Sequence, residues 1–427
     1  MERELETVPF LYIRRKNVKV LLFEWPAVNQ KEMASMLTKY GCQVFCLSIP
    51  FKSFVGDWEL EEKFEAHLKV KDYDFVFSIN YFDMIAEACH RKHVKYVAWT
   101  YDSPTYTGDP KILSYDTNYV FMFDRIETER YRKNGYENVY HLPLAVNCDR
   151  YEKIHLLNKK HANILQSDIS FVGRLYENNL PEITSNLDDY YKAFLNALVD
   201  AQMQVSGYNI FNDIITQEFM TKISTPSFNR QMNKKEKLPW DTKKEKEETS
   251  EAIPSKNALI MKLNKAVTNR ERLLILQLLA RHHHMKLFSD QKSNVIQDAI
   301  LCGPVDYYTN MPKVFKHSKI NMNITLRSIE SGIPLRCLDI MGCGGLLMSN
   351  YQLEFDDYFQ NGRDLLIYYS AEDALEKANY YLNPRRETER AAIAKSGYEI
   401  VKKYYSYEHQ FEYIWEKAEL GDFPILR

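Results

Sequence analysis

Short apolar runs recur along this chain, each followed by a stretch with helical spacing, and that alternation limits the fold more than any single motif does. Val18 to Phe23 is the first, and Gln43 to Leu47, Asp74 to Ser78, Tyr96 to Thr100 and Tyr119 to Asp124 repeat it, with a helix expected over Gln30 to Tyr40. Runs that are apolar throughout suit strands covered on both faces. Parallel neighbours need crossover connections, so this order predicts an α/β fold with a doubly wound parallel sheet. Asn138 to Asn147 closes the first unit. The pattern resumes at Ile169 to Val172 and continues with strands near Met285 to Ser289, Ile320 to Thr325, Leu346 to Ser349 and Asp364 to Tyr368.

The residues after the first strand exclude one class. A dinucleotide fingerprint puts glycines there, and EWPAVNQKEM has none, so a standard NAD enzyme is not expected. A chain of 427 residues suggests two domains or three, and a net charge of -2 gives no reason to expect nucleic acid or an anionic membrane as partner. No apolar run approaches the ~18 residues of a span, and MERELETVPFLYIRRK lacks the apolar core of a secretory signal, so the expectation is a cytoplasmic protein without a membrane span. The 7 cysteines form no C-x-x-C pair and read as reduced thiols.

The stretch from Lys319 to Asn350 reads as strand, loop, helix, strand. Ile320, Met322 and Ile324 alternate with Asn321, Asn323 and Thr325, the pattern of a half-buried strand. Ser331-Gly332 and Pro334 mark a loop entering a short helix, Pro334 to Gly342, which carries Arg336 and Asp339 on one face. Helix N-termini beyond strand ends favour anions such as a diphosphate, so this loop is a candidate ligand site; an ordinary turn with a solvated Arg-Asp pair is the alternative. Two further strand ends qualify. Trp99, Tyr101, Asp102 and Ser103 stand after one, where Asp102 either faces a ligand or makes a turn. Gly173-Arg174 stands after another, where Arg174 either clamps a phosphate or lies exposed beside a turn.

Between the strand at Ile169 and that at Met285 the chain reads as helices, Leu187 to Gln204, Tyr208 to Lys222 and Ala258 to Arg281, around a charged stretch at 234–256, together an insertion over about 185–282. Adjacent helical residues cannot all face one ion, so His282-His283-His284 reads as a polar helix end and no metal site is assigned. A last helix, Tyr407 to Glu419, needs a partner surface for Phe411, Ile414 and Trp415.

FVGRLYENN, GPVDYYTNMPKVFKHSKINMNITLRSIESGIPLRCLDIMGCGGLLMSN and DLLIYYSAEDALEKANYYL, with YVAWTYDSP and VYHLPLAVN earlier, resemble CgeB-like (spore-maturation-type) glycosyltransferases of the group-1 superfamily. The resemblance implies the GT-B fold: two Rossmann-like doubly wound parallel-sheet domains facing a cleft, here 1–155 on the acceptor side and 156–405 binding the nucleotide sugar, with residues 406–427 crossing back to the first domain. It implies sugar transfer from a nucleotide-diphosphate donor to a hydroxyl of a glycan, protein or small molecule, with retention, no cofactor and no metal. Gly173 and Arg174 then approach the diphosphate, Asp306 and Tyr307 lie by the base, Ser331, Gly332 and Ile333 offer amides, and Arg336 and Asp339 complete the donor site. Asp339 matches the second acid of the superfamily's paired-glutamate motif. The first is out of register, since Ser331 stands in its place and Glu330 is one residue early, and Asn178 and Asn179 replace the expected basic partner of Arg174. Asp102 and Arg174 are the catalytic candidates. A catalytically weak sugar-nucleotide or glycan-binding protein and a GT-B-fold epimerase are the alternatives.

Overall fold

The computed structural model describes residues 18–53, 56–154, 164–176, 179–234, 250–291 and 293–421. The N-terminal stretch, Asn178, much of the expected domain boundary at 148–165 and most of the charged stretch at 234–256 lie outside the described residues.

Two six-stranded parallel sheets form the frame. The first joins β1 (Lys19–Phe23), β2 (Gln43–Leu47), β3 (Phe75–Ile79), β4 (Lys95–Trp99), β5 (Asn118–Met122) and β6 (Val139–His141) in the order β2-β1-β3-β4-β5-β6. The second joins β7 (Ser167–Val172), β8 (Met285–Phe288), β9 (Ile300–Leu301), β10 (Ser318–Asn323), β11 (Leu347–Asn350) and β12 (Leu366–Tyr368) in the order β12-β11-β10-β7-β8-β9. Strand order reverses between β1 and β3 in one sheet and between β7 and β10 in the other. Crevices open at such switch points, beyond the carboxyl ends of the strands.

Apolar strands bury both faces, as β3 does over its whole length. One face of the first sheet packs on the helices Trp58–Leu68 and Asp83–Lys92 through Leu21, Val76 and Tyr96. Its other face is covered by the helix Gln30–Lys39 and by the last described helix, Tyr407–Lys417. Trp415 meets Phe75 edge-on at 5.7 Å, Phe411 meets Tyr40 at 5.8 Å, and Lys95 Nζ donates to the Ala418 carbonyl at 2.8 Å. Phe411, Ile414 and Trp415 are buried, each contributing about 1.5–3 kcal/mol. The C-terminal helix is thus a layer of the first domain.

β10 departs from the half-buried expectation. It lies in the middle of its sheet, and Asn321 and Asn323 are buried under the helices Met311–His317 and Leu335–Gly342. Neighbouring strands satisfy them: Ser170 Oγ donates to Asn321 Oδ1 at 2.7 Å, and Asn323 Nδ2 donates to Ser349 Oγ at 3.0 Å. Period-2 alternation here separates an apolar core face from a hydrogen-bonded one, and both are dry.

The insertion has a different end from the one expected. Its helices, Leu180–Ile183 to Pro226–Met232, form their own core with Leu259, Leu263 and Val267 of the long helix Lys256–His282. Ile275, Leu276 and Leu279 of the same helix pack on the second sheet. Its latter half is the ordinary β7-to-β8 crossover. Tyr208 to Lys222 is not one helix: Phe211–Ile214 and Gln217–Ile223 are separated at Thr216, whose hydroxyl accepts from the Phe219 amide at 3.1 Å. Asn138 to Asn147 is strand only over β6, since Pro143 has no amide to pair.

Candidate active site

The carboxyl ends of the two sheets face each other, and the loop after β10 makes the contact. Asp124, just past β5 and fully buried, accepts from the amides of Glu330 (2.6 Å) and Ser331 (3.3 Å) and from Ser331 Oγ (2.7 Å). Ser331 Oγ also lies 2.8 Å from Glu354, which accepts from the Arg125 amide at 2.8 Å and faces His141 Nε2 at 3.0 Å. A Cβ on Gly332 would stand 2.8 Å from both the ring and the carbonyl of Phe123, and Ile333 is buried in the core between the domains. Arg130 pairs with Glu330 at 2.6 Å, and Ser328 Oγ donates to the Ser103 carbonyl at 2.6 Å. The amides of Glu330 and Ser331 are thus met by a carboxylate of the opposite domain.

The β7/β10 switch point is built differently. Arg272, near the middle of Lys256–His282, is 7% exposed, and its guanidinium donates to the carbonyls of Arg174 and Ile324. It stacks on Tyr176 at 4.7 Å and Phe171 at 5.2 Å. Among the described residues no carboxylate pairs with it; the neighbouring Glu271 is taken by Arg327. Burial pulls its pKa below the ordinary value, though a guanidinium stays charged. Leaving a buried cation without an acid costs several kcal/mol, which an anionic ligand would offset. The turn over it is held from three sides. Gln291 Oε1 accepts from the amides of Leu175 and Tyr176 at 2.6 and 2.9 Å, Asn269 donates to the Leu175 carbonyl at 3.0 Å, and the Gly173 amide donates to the Phe288 carbonyl at 3.0 Å. The Arg174 side chain lies at the rim, 61% exposed, 3.5 Å from Asp290.

Across the cleft, Asp102 follows β4. It keeps an accessible face in the cleft, and desolvation by the protein around it raises its carboxyl above the usual range. Asn80 orients it, donating from Nδ2 to Asp102 Oδ2 at 2.6 Å and accepting the amides of Tyr101 (2.7 Å) and Asp102 (3.3 Å) on Oδ1. Asn80 is buried at the β1/β3 switch point with φ 64°, a left-handed conformation that asparagine tolerates and that cleft residues often adopt. Beneath, Ser103 Oγ bridges Glu127 (2.9 Å) and Asp124 (3.4 Å), and burial followed by the Asp124 charge pushes the Glu127 carboxyl up to about 7.

The remaining predicted residues form a second group. Asp339 is 1% exposed; the hydroxyls of Tyr151 and Tyr307 donate to its Oδ1 at 2.7 and 2.9 Å, Arg336 stands 3.5 Å from Oδ2, and burial raises its pKa. Arg336 Nη1 also lies against Met311 Sδ. Asp306 closes a turn, accepting the amides of Tyr308 and Thr309 at 3.1 and 2.8 Å, and these bonds, with the Thr309 hydroxyl first, hold its pKa low. Gly173 and Arg174 therefore share the switch point with Arg272; Tyr307, Arg336 and Asp339 form a separate group with Tyr151, Asp306 stands in the exposed turn after β9, and Asp102 is on the facing domain. Sequence reasoning missed Arg272, Asn80 and Asp124. Arg272 sits in NRERLL, a charged helical run that reads as solvated, and only the acid at the tip of β5 gave a signal. A cavity of about 350 Å³ beside His141, Tyr404 and Tyr413 lies between the end of β6 and the C-terminal helix, and none of Asp102, Arg174 or Arg272 lines it.

Residues 270–416 match the family described as glycosyl transferase-like. No curated protein matches the sequence. In fold the chain is similar to a glycosyltransferase from Rickettsia africae ESF-5, with a TM-score of 0.53 at 10% identity over 95% of this chain and 98% of that one. Sucrose-phosphate synthase from Thermosynechococcus elongatus gives 0.53 at 10% over 94% and 99%. A protein assigned as a UDP-N-acetylglucosamine 2-epimerase from Listeria monocytogenes gives 0.53 at 8% over 96% and 99%. At such identities the likeness is one of fold, GT-B in each case. The glycosyl transferase-like segment is thus built into a GT-B fold.

Proposed function

We propose that the protein moves a sugar from a nucleotide-diphosphate donor to a hydroxyl acceptor across this cleft. One observation carries the reading: Arg272, a buried cation whose hydrogen-bond acceptors among the described residues are carbonyls, stands at the switch point where an open α/β sheet receives an anionic ligand. In transfer the bond from the anomeric carbon to the diphosphate breaks, the bond to the acceptor oxygen forms, and negative charge grows on the leaving group. Arg272, with Arg174 at the rim, stabilises that charge through preorganised donors. Asp102, held by Asn80, orients the acceptor hydroxyl or takes its proton. Because arginines supply the positive charge, turnover is expected to survive chelation; loss of activity in EDTA, restored by manganese or magnesium, would overturn this part. Retention of the anomeric configuration follows from the resemblance alone, and proton NMR of the product decides it.

The test is a screen of uridine, guanosine, thymidine and adenosine diphosphate sugars for thermal stabilisation and for donor hydrolysis, since a ligand of the folded state alone raises its apparent stability. Stabilisation with slow hydrolysis supports transfer. Inversion at C2 would support the epimerase, binding without turnover a binding module, and no response to any nucleotide sugar would overturn the reading.

A further inference from the structure

We propose that the helical insertion builds a pocket for one sugar ring of a carbohydrate acceptor; the inference rests on the transferase reading. A cavity of about 270 Å³ lies where the insertion meets the carboxyl ends of β10, β11 and β12. That is below the roughly 300–1,000 Å³ of sites for drug-sized ligands and suits a single ring. Gln204 and Ser206 of the insertion form one wall, and Asn350, Tyr351, Tyr369 and Glu372 line the other.

The chemistry points to an uncharged polyol. Among the described residues Arg327 is the only cationic one in the wall, and Glu271 neutralises it through two hydrogen bonds, one of 2.8 Å, while Glu372 adds a negative charge. An anion would be repelled. Tyr351 and Tyr369 stack with ring centroids 6.1 Å apart and planes 29° apart, and Tyr369 remains 69% exposed. Aromatic faces carry the C–H side of a sugar ring, while amide, hydroxyl and carboxylate groups receive its hydroxyls.

The insertion shapes this pocket directly. Arg327 Nη1 donates to the Val205 carbonyl at 3.2 Å, and the Arg327 amide donates to Thr268 Oγ1 at 3.0 Å, so the insertion and the long helix fix the residue between pocket and cleft. The next residue, Ser328, donates to the Ser103 carbonyl at 2.6 Å, beside Asp102. Pocket and acceptor edge thus flank one short loop. An acceptor glycan of two or more rings can seat one ring here and bring a hydroxyl of another to Asp102.

The test uses the full-length chain and saturation-transfer NMR at millimolar p-nitrophenyl glycosides of glucose, galactose, mannose, rhamnose and N-acetylglucosamine, with nucleoside diphosphates titrated in parallel. At least one glycoside is expected to bind, and Tyr369→Ala, or Glu372→Gln as a second variant, to weaken it about three- to tenfold with nucleotide affinity unchanged. No glycoside binding, or binding indifferent to both variants, overturns the pocket. Nucleotide binding without glycoside binding overturns the pocket and leaves the transferase reading standing, whereas glycoside binding without nucleotide binding supports the pocket and overturns that reading.

Discussion

The turns after β7 and β10 look alike in sequence, each a strand running into a glycine-containing loop, and the fold uses them in opposite ways. After β10, amides that resemble an anion cradle are filled by Asp124 of the facing domain, and Gly332 is small because Phe123 presses on it. After β7, the amides of Leu175 and Tyr176 are tied down by Gln291, while beneath them Arg272 keeps a charge that no acid among the described residues pairs with. The β10 loop is a clasp between domains, and the β7 turn is where we propose the anion site. Glycine at a βα junction announces a close approach but does not say what approaches; the balance of buried charge does.

The clasp gives the largest expected effect. Asp124→Ala leaves the amides of Glu127, Glu330 and Ser331 without their buried carboxylate acceptor and should destabilise the protein by about 3–4 kcal/mol in urea unfolding. A loss below about 1 kcal/mol would mean that the domains do not depend on this contact.

Glu127 sharpens the comparison through pH. Its folded-state carboxyl lies near 7 against an ordinary 4.5, so the native state holds the proton more tightly. The associated stability is complete below the unfolded value and is lost as pH rises through about 7, a change of about 3 kcal/mol. Glu127→Gln should remove that component and melt higher than the parent at pH 8. Equal pH profiles would contradict it.

Gly332→Ala presses a methyl into Phe123 and should cost about 1–3 kcal/mol, with nucleotide affinity little changed because the proposed site is at β7. If it abolished nucleotide binding while the protein stayed folded, the β10 loop would be the donor cradle after all. Arg174→Ala, at an exposed rim, should weaken nucleotide binding by no more than about 1 kcal/mol.

Much of the frame was legible because strands buried on both faces are apolar throughout, as in Val18 to Phe23 and Phe75 to Ile79. β10 was found but its surroundings were not, since Asn321 and Asn323 alternate like a solvent face although cross-strand hydroxyls satisfy them. The site was less legible. Asp102 and Arg174 stand at strand ends, where position alone is a signal. Asn80 and Arg272 act through partners far away in sequence, Asp102 from Asn80 and the carbonyls of Arg174 and Ile324 from Arg272. Nothing local marks them, and the role of Asp124 depends on how the two domains dock.

The most direct test of the central claim is calorimetric titration of the preferred nucleoside diphosphate against Arg272→Gln, with Arg272→Lys as the charge-retaining partner and circular dichroism to check the fold. Loss of a charged hydrogen-bonding group should raise Kd by about 10- to 100-fold in the glutamine variant and by less in the lysine variant. A folded Arg272→Gln protein that binds the nucleotide as tightly as the parent would contradict the placement of the anion site at the β7/β10 switch point.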